Sequence, residues 1–424
     1  MKTNRLLISF PIICVMAAGL AYGQSPALRI TLDQAIEMAI RHNHTLIANR
    51  TNIQQSQAQE ITANIRPNPV FFVDWEYLPV FSRPVGESIA DYLQGSTEGD
   101  IGISYLFERG QKRQHRVQAA KDATKVTRSQ VADNERTLGF TVASQFINVQ
   151  LAQATIDFAS EDVKSFQRTV EIAQSQFEFG GISENDNLKI KLQLLQFQQT
   201  LEQAQLAKIQ ALDDLRQNIG YDAVPANYDI AGDFEYKAFP LSVAALETKA
   251  LEYRPDLRAA IQSVTAANSQ HSLARANSKQ DITLSVNYSH ANGINGSTFS
   301  MSFPLPIFDR NQGEIARTQY AIRQAEEQKK GTEGQALTDV RDAYEGMKSN
   351  ERVILFYQAG NLDNAKKSRD ISQYSYQRGN SSLLDLLDAE RSYRATQVGY
   401  LQSVAGYLTS IEQIRQAVGT RSLP

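Results

Sequence analysis

Four short segments of the chain alternate apolar and polar side chains with a period of two. The apolar positions are Phe71, Val73, Trp75 and Tyr77, then Ile101, Ile103, Tyr105 and Phe107, then Ile282, Leu284, Val286 and Tyr288, and finally Phe299, Met301, Phe303 and Leu305. Such alternation is typical of a β-strand with one apolar and one polar face. We therefore predict two strand pairs, at about residues 70–78 with 99–108 and at about 281–290 with 297–307.

Each strand pair is followed by a long segment that contains no proline and few glycines, the first from about residue 109 to 177 and the second from about 311 to 376. In the first, apolar residues recur at steps of three and four, which predicts a coiled-coil seam. The seam runs through Leu138, Val142, Phe146, Val149, Ala152, Ile156, Ala159, Val163, Phe166, Val170, Ala173 and Phe177. Glycines and then Ser183 or Ser382 follow, so we predict antiparallel helical hairpins at about 109–219 and 309–419.

The two halves of the chain resemble each other. Thr31–Tyr77 aligns without gaps with Ser242–Tyr288 at an offset of 211, and Gly180–Gly220 aligns with Gly379–Gly419 at an offset of 199. A tandem duplication explains both matches. We divide the chain into a first repeat at 24–220, a linker at 221–240 and a second repeat at 241–424.

The first residues indicate export. Lys2 and Arg5 precede an apolar stretch, and a small-x-small site follows it, so residues 1–23 are predicted to be a signal peptide. The chain has one cysteine, Cys14, which the cleavage would remove. No disulfide or thiolate metal site is then expected. No later segment has 18 consecutive apolar residues, so any membrane span would have to consist of strands.

The number of strands carries a further implication. A four-stranded sheet on an exported chain fits a membrane barrel, although a half-buried soluble sheet is the alternative. Four strands are too few to close a barrel, which needs about eight. An open sheet edge is not tolerated in lipid, because its backbone groups would lack partners. Several copies of the chain should therefore contribute strands to one barrel.

Composition and motifs exclude several function classes. The net charge of −3 argues against a nucleic-acid binder, which would carry a basic surface. His42 and His44 are two residues apart and do not share a helix face, so we predict no metal site and no cofactor. The chain has no nucleophile elbow, phosphate loop or convincing acid–base pair, and we predict that it is not an enzyme.

Three motifs resemble the TolC-like outer-membrane factors of tripartite efflux systems. They are ITLDQA at 30–35, YQRGNSSLLDLLDAE at 376–390 and FPLPIFDRNQG at 303–313. The third is similar to the branch that serves heavy-metal (cobalt-zinc-cadmium) efflux pumps. The resemblance covers essentially the whole chain after the signal peptide.

The resemblance implies a mainly α fold with membrane β-strands. Three chains would form a homotrimer, with four strands from each in a 12-stranded outer-membrane barrel that continues into a coiled-coil periplasmic tunnel. The partners implied are outer-membrane lipid, a periplasmic adaptor (membrane fusion) protein and a proton-driven inner-membrane pump. The function implied is a passive exit duct, with divalent metal cations as the candidate cargo. The alternatives are a duct for drugs or for type I protein secretion, and a periplasmic adaptor or structural coiled-coil protein.

The resemblance also implies a gate. The family's constriction acids correspond to Asp385 and Asp388, which are three residues apart and so on one helix face. A trimer would place six carboxylates around its axis, which would attract cations. Asp186 and Tyr376 correspond to the contacts that close the channel, whereas Ser381 stands where some members place an arginine. Asp186 and Asp385 are also explained as helix-capping acids, and Asp388 as a solvated surface acid.

Overall fold

The computed structural model describes residues 28–77, 86, 88–96, 98–291 and 293–423, and the predicted signal peptide at 1–23 lies outside the described residues. The helices are α1 (Leu32–His42), α2 (His44–Asn64), α3 (Ile89–Ser96), α4 (Lys112–Glu178), α5 (Glu184–Ile219), α6 (Val243–Tyr253), α7 (Pro255–Asn277), α8 (Gln312–Phe356), a π-helical turn (Tyr357–Asn361), α9 (Leu362–Gln377) and α10 (Leu383–Val418). The strands are β1 (Arg29–Ile30), β2 (Val70–Tyr77), β3 (Glu98–Phe107), β4 (Asp229–Ile230), β5 (Ile282–Ala291) and β6 (Ile294–Ser302).

The four long strands form one antiparallel sheet in the order β2-β3-β5-β6. The sheet therefore joins the two repeats through β3 and β5, where Ile103 lies opposite Val286. One face is apolar and exposed. It carries Val73, Trp75, Ile101, Ile103, Leu284, Val286, Tyr288, Phe299 and Met301. This is the arrangement that the alternation predicts, with strands β2 and β6 at the two edges.

The end of the fourth strand differs from the prediction. We expected a strand at 297–307, but β6 begins at Ile294 and ends at Ser302. Pro304 and Pro306 follow, and proline has no backbone N–H to donate to a neighbouring strand. The side chains of Phe303 and Leu305 are exposed, although they lie beyond the last paired residue. The short helix α3, between β2 and β3, was not expected either.

The first hairpin consists of α4, with 67 residues, and α5, with 36 residues. Helix α4 begins at Lys112, three residues after the predicted start. At 1.5 Å per residue, α4 is about 100 Å long. Its predicted seam is buried at Val142, Phe146, Val149, Ala159, Phe166 and Ala173. Within the described residues, no helix is long and apolar enough to cross a membrane.

The second hairpin is interrupted, which corrects the prediction of one helix at 311–376. Helix α8 ends at Phe356, and the π-helical turn Tyr357–Asn361 separates it from α9. Gly360 has a φ of 102°, which breaks the helical path because only glycine adopts this region readily. Helix α4 has no such break at the equivalent point.

Each repeat contains an equivalent hydrogen bond between the junction of its first two helices and the end of its return helix. In the first repeat, the side chain of Asn43, between α1 and α2, donates to the carbonyl of Asn218 at 2.9 Å. In the second, Arg254, between α6 and α7, donates to the carbonyl of Ala417 at 3.2 Å. These residue pairs are related by the same offsets, 211 and 199, as the sequence matches. The same offsets therefore relate tertiary contacts as well as sequence positions.

The glycine after each return helix lies against the same junction. Gly419 has a φ of 85°, and a Cβ atom there would lie 2.9 Å from the Cα of Arg254. Gly220 has a φ of 108°, and its Cβ would lie 3.0 Å from the carbonyl oxygen of His42. Each helix end therefore approaches the junction too closely for a side chain.

Arg254 is the most buried ion-pairing residue of this region, with 3% of its side chain exposed. Its guanidinium donates to both carboxylate oxygens of Asp256, at 3.0 and 2.6 Å, and to Asp339 at 2.8 Å. The network joins α6, α7, α8 and the end of α10. Burial of an ion pair is stabilising only when its hydrogen bonds are satisfied, as they are here.

Arg254→Ala should lower the free energy of unfolding by about 3 kcal/mol, because Asp339 loses its arginine and Asp256 keeps only the more distant Arg136, at 3.7 Å. The matched control is Arg341→Ala, which removes a 67% exposed arginine that pairs with Glu247 and should cost less than about 1 kcal/mol. Loss of helical circular dichroism on heating measures both. Equal effects of the two substitutions would contradict the assignment.

Candidate functional site at the hairpin tips

Both hairpins turn through glycine and then cap the next helix with serine. Helix α4 ends at Glu178 and is followed by Gly180, with a φ of 75°. Helix α9 ends at Gln377 and is followed by Gly379, with a φ of 73°. The positive φ explains why glycine occupies both turns.

Ser382 and Asp385 form a capping box at the start of α10. The hydroxyl of Ser382 accepts from the Asp385 backbone N–H at 3.2 Å, and the Asp385 carboxylate accepts from the Ser382 N–H at 3.1 Å. The Ser382 hydroxyl also donates to this carboxylate at 2.7 Å. These hydrogen bonds lower the pKa of Asp385, so its side chain carries a negative charge at neutral pH. Asp385 therefore caps the helix and remains an exposed charge.

Asp388 lies one turn further along α10 and is also exposed. It forms an ion pair with Arg391, in which the side chains are 58% and 81% exposed. Such exposed pairs are weak, since water screens both charges. The first hairpin has Asp186 at the position equivalent to Asp385, but Lys189 at the position equivalent to Asp388. The pair of acids is thus a feature of the second hairpin.

Asp186 lies in the first turn of α5, as Asp385 lies in the first turn of α10. Its backbone N–H donates to the hydroxyl of Ser183 at 3.1 Å. Tyr376 lies at the end of α9, buried in a cluster between the hairpins that includes Phe166, Ile190 and Leu386. Burial raises the pKa of the Tyr376 hydroxyl, and the negative charge of Asp186 raises it further. The Asp186 carboxylate and the Tyr376 hydroxyl do not form a hydrogen bond with each other.

Within the described part of the chain, the Tyr376 hydroxyl has no hydrogen-bond partner, and neither has the buried hydroxyl of Ser381. The hydrogen bonds that join the two hairpins come from other residues. Gln176 donates to the carbonyl of Gln377 at 2.9 Å, and Gln373 donates to the hydroxyl of Thr169 at 2.8 Å. The sequence reasoning missed these glutamines, because amides at helix surfaces are common and carry no specific signal.

A buried charged cluster was also missed. Asp162 and Glu390 are each 3% exposed, and they lie where α4 packs against α9 and α10. The signal was present, since Asp162 and Glu390 occur at the same steps of three and four as the buried apolar residues around them. The predicted seam passes through Val163 and Val170 instead, and the structure buries these two side chains only partly.

Comparison with known proteins identifies the family. The model of the outer membrane efflux protein family matches residues 35–221 and 246–420. The chain belongs to the outer membrane efflux protein family. The matched ranges correspond closely to the two repeats, and each stops at the end of a return helix.

Individual relatives span nearly the whole chain. The cobalt-zinc-cadmium resistance protein CzcC of Cupriavidus metallidurans is 22% identical over 88% of this chain and 86% of the relative. The outer membrane protein TolC of Vibrio cholerae is 22% identical over 81% of this chain and 83% of the relative. The crystal structure of the Campylobacter jejuni CmeC outer membrane channel superposes with a TM-score of 0.76 at 18% identity, over 99% of this chain and 94% of that one.

Family and fold together confirm several predictions. The chain has the fold of the TolC-like channels, which is mainly helical with four membrane strands per chain. The protein is an efflux channel that spans the outer membrane and extends into the periplasm, and it is not an enzyme, because the family consists of channels. TolC-family proteins are trimeric and work with adaptor proteins and inner-membrane pumps. The alternative of a periplasmic adaptor or a structural coiled-coil protein is set aside.

Tyr376→Phe should leave the free energy of unfolding unchanged or raise it, because the hydroxyl that it removes is buried without a partner. Tyr407→Phe is the matched control, since its buried hydroxyl donates to the carbonyl of Lys237 at 2.8 Å. That control should lose about 1 kcal/mol. Thermal unfolding of both variants gives the comparison. A loss at Tyr376 as large as at Tyr407 would show that the assembled channel supplies a partner for this hydroxyl.

Proposed function

We propose that this chain forms a homotrimeric exit duct whose second hairpin contributes Asp385 and Asp388 to a cation-attracting constriction, and that its cargo is divalent metal cations. A periplasmic adaptor and a proton-driven inner-membrane pump deliver the cargo to the periplasmic tip. The duct itself is passive, and the partner pump supplies the driving force.

The exposed charges of α10 carry the proposal for the constriction. Asp385 is ionised, and Asp388 is only weakly neutralised by Arg391. Three copies would place six carboxylates around one axis, where they would raise the local concentration of cations and lower that of anions. Asp385 also caps its helix, and these hydrogen bonds hold its side chain in place. The same carboxylate can attract cations, because it remains exposed and charged.

The cargo is inferred from similarity. CzcC is named for resistance to cobalt, zinc and cadmium, and its match extends over most of both chains. The segment FPLPIFDRNQG at 303–313, between β6 and α8, supports the same branch. The rival cargo classes are drugs and secreted proteins, and the assays below separate them from metals.

The proposed closing contact pairs Asp186 on the first hairpin with Tyr376 on the second. Asp186 lies in the first turn of α5 and Tyr376 at the end of α9, and the negative charge of Asp186 contributes to the raised pKa of Tyr376. Ser381 is uncharged, so it cannot form an ion pair in this contact. We therefore propose that closure depends on the packing around Tyr376 and on the glutamine hydrogen bonds more than on ion pairs at this turn.

The double variant Asp385→Asn/Asp388→Asn should lower the cation-over-anion permeability ratio several-fold in planar bilayers, because six charges are lost from the constriction. Asparagine at 385 still offers an oxygen to the Ser382 N–H, so the helix cap is retained. Asp363→Asn, an exposed acid at the other end of α9, is the control. An unchanged ratio in the double variant would remove these acids from the constriction.

Deletion of the gene should lower the tolerated concentrations of cobalt, zinc and cadmium ions and raise their cellular content, whereas tolerance of drugs should not change. Complementation with the wild-type gene is the control. Lost drug tolerance with normal metal tolerance would instead favour the drug-export alternative, and loss of a secreted protein from the medium would favour protein export.

A further inference from the structure

Four charged residues form a cluster between the two hairpins, away from the exposed acids of the tip. Asp162 comes from α4, Arg369 from α9, and Glu390 and Arg394 from α10. Asp162 and Glu390 are each 3% exposed, and Arg369 is 8% exposed. We call this set the acid–arginine cluster. Its members come from both hairpins, and they are buried where α4 packs against α9 and α10.

The arginines of the cluster are held mainly by aromatic rings and by one exposed acid. The guanidinium of Arg394 lies 4.0 Å from the ring centroid of Phe197 on α5, and that of Arg369 lies 4.4 Å from the ring centroid of Tyr393. Arg369 donates to Asp370 at 2.8 Å. The rings and Asp370 therefore fix the arginines whether or not the buried acids are charged.

The buried acids are poorly satisfied. Arg394 Nε lies 3.0 Å from Asp162 Oδ2, but without the alignment of a hydrogen bond. Among the described residues, both carboxylate oxygens of Asp162 and the Oε2 of Glu390 are buried with no hydrogen-bond partner. An ionised carboxylate in this position pays a desolvation cost that a protonated one avoids. This contrasts with Arg254, whose buried network is completely hydrogen bonded.

The charges that surround the two acids come from every helix that contributes to the cluster. Helix α4 contributes Glu161 beside Asp162, α9 contributes Arg369 and Asp370, and α10 contributes Arg394 and the phenol of Tyr393. From α5, the ring of Phe197 packs against the guanidinium of Arg394. The two arginines lower the pKa of the acids, and Glu161 and Asp370 raise it.

Burial outweighs the arginines in both cases. It raises the pKa of Asp162 to about 6. Burial, with the negative charge of Asp162 in addition, raises the pKa of Glu390 to about 7. A hydrated aspartate or glutamate titrates at about 4. The packed state thus holds these protons more tightly than a separated, hydrated state, so its stability is highest below about pH 4, falls as the pH rises towards about 6–7, and is level above that.

We propose that the acid–arginine cluster is a proton-sensitive lock between the two hairpins, in which neutral Asp162 and Glu390 allow α4 to pack against α9 and α10, and their ionisation favours separation. The proposal goes beyond the cargo and the constriction proposed above and depends on neither. The cluster lies along the hairpins, apart from the exposed acids of the tip. Its protonation at low pH would therefore favour the closed channel, whatever the cargo.

Hydrogen–deuterium exchange of the full-length protein in detergent tests this directly. After correction for the intrinsic pH dependence of exchange, amides of α9 and of the first turns of α10 should open about tenfold or more as the pH rises from about 5 to about 8. Glu390→Gln, which mimics the neutral acid, should abolish most of this dependence and keep the amides protected at high pH.

Glu171→Gln is the matched control, because it neutralises an exposed acid on α4 outside the cluster and should keep the wild-type dependence. Asp162→Asn provides a second variant from the opposite hairpin, with the same expected result as Glu390→Gln. The proposal is overturned if wild-type protection does not vary over this pH range, or if both cluster variants retain the dependence in full.

Conductance separates this proposal from the previous one. The open probability in planar bilayers should rise with pH in the wild type and not in Glu390→Gln, whereas the cation-over-anion ratio should be the same in both. A changed ratio with an unchanged pH response in Glu390→Gln would contradict the lock and leave the constriction acids unaffected.

Discussion

Backbone hydrogen bonding in lipid is the constraint on which the rest of this molecule depends. The sheet β2-β3-β5-β6 is complete in its interior but presents an edge at β2 and another at β6. An edge in hydrocarbon leaves N–H and C=O groups without partners, and the strands of neighbouring subunits are the only backbone available at that depth. The sheet of one chain therefore has to be completed by strands from further copies of the chain.

The helical part contains two kinds of contact, which differ along the length of the hairpins. Where α1 and α6 pack against the hairpins, the contacts are two apolar clusters and the hydrogen-bonded network of Arg254. Nearer the tips, the contacts between hairpins include two glutamine hydrogen bonds, an unpartnered tyrosine and the acid–arginine cluster. Within the described residues, most of the buried side-chain polar atoms that lack a hydrogen-bond partner lie towards the hairpin tips, although Arg415 Nε, near the other end of α10, also lacks one.

The two repeats share an architecture but have diverged in chemistry. Asn43 and Arg254 occupy equivalent positions and donate to equivalent carbonyls, yet only the arginine recruits acids from neighbouring helices. The π-helical turn at Tyr357–Asn361 interrupts the second hairpin and not the first. The second hairpin also carries both exposed acids of α10. The interruption and the pair of exposed acids are therefore present in the second hairpin and absent at the equivalent described positions of the first.

The sequence by itself determined the strands, the hairpins, their turns and the duplication, because periodicity, glycine and helix caps are local signals that neighbours in the chain impose on each other. Helix α10 begins at Leu383, directly after the predicted cap at Ser382, for this reason. The resemblance of the same local motifs to a known family supplied the trimer, the outer membrane and the constriction acids. The predicted strand at 297–307 failed at its end because the pattern of apolar residues continues past Ser302, although prolines prevent pairing there.

Only the tertiary structure decided which residues meet across the chain. The pairing of β3 with β5, the hydrogen bonds of Gln176 and Gln373, and the burial of Asp162 beside Arg394 join residues that are more than 170 positions apart. The energy of a buried charge depends on what surrounds it from other helices, and no local pattern encodes those surroundings. For that reason the steps of three and four could place Asp162 and Glu390 on buried helix faces, but only the packed structure shows that the two acids lie beside Arg369 and Arg394.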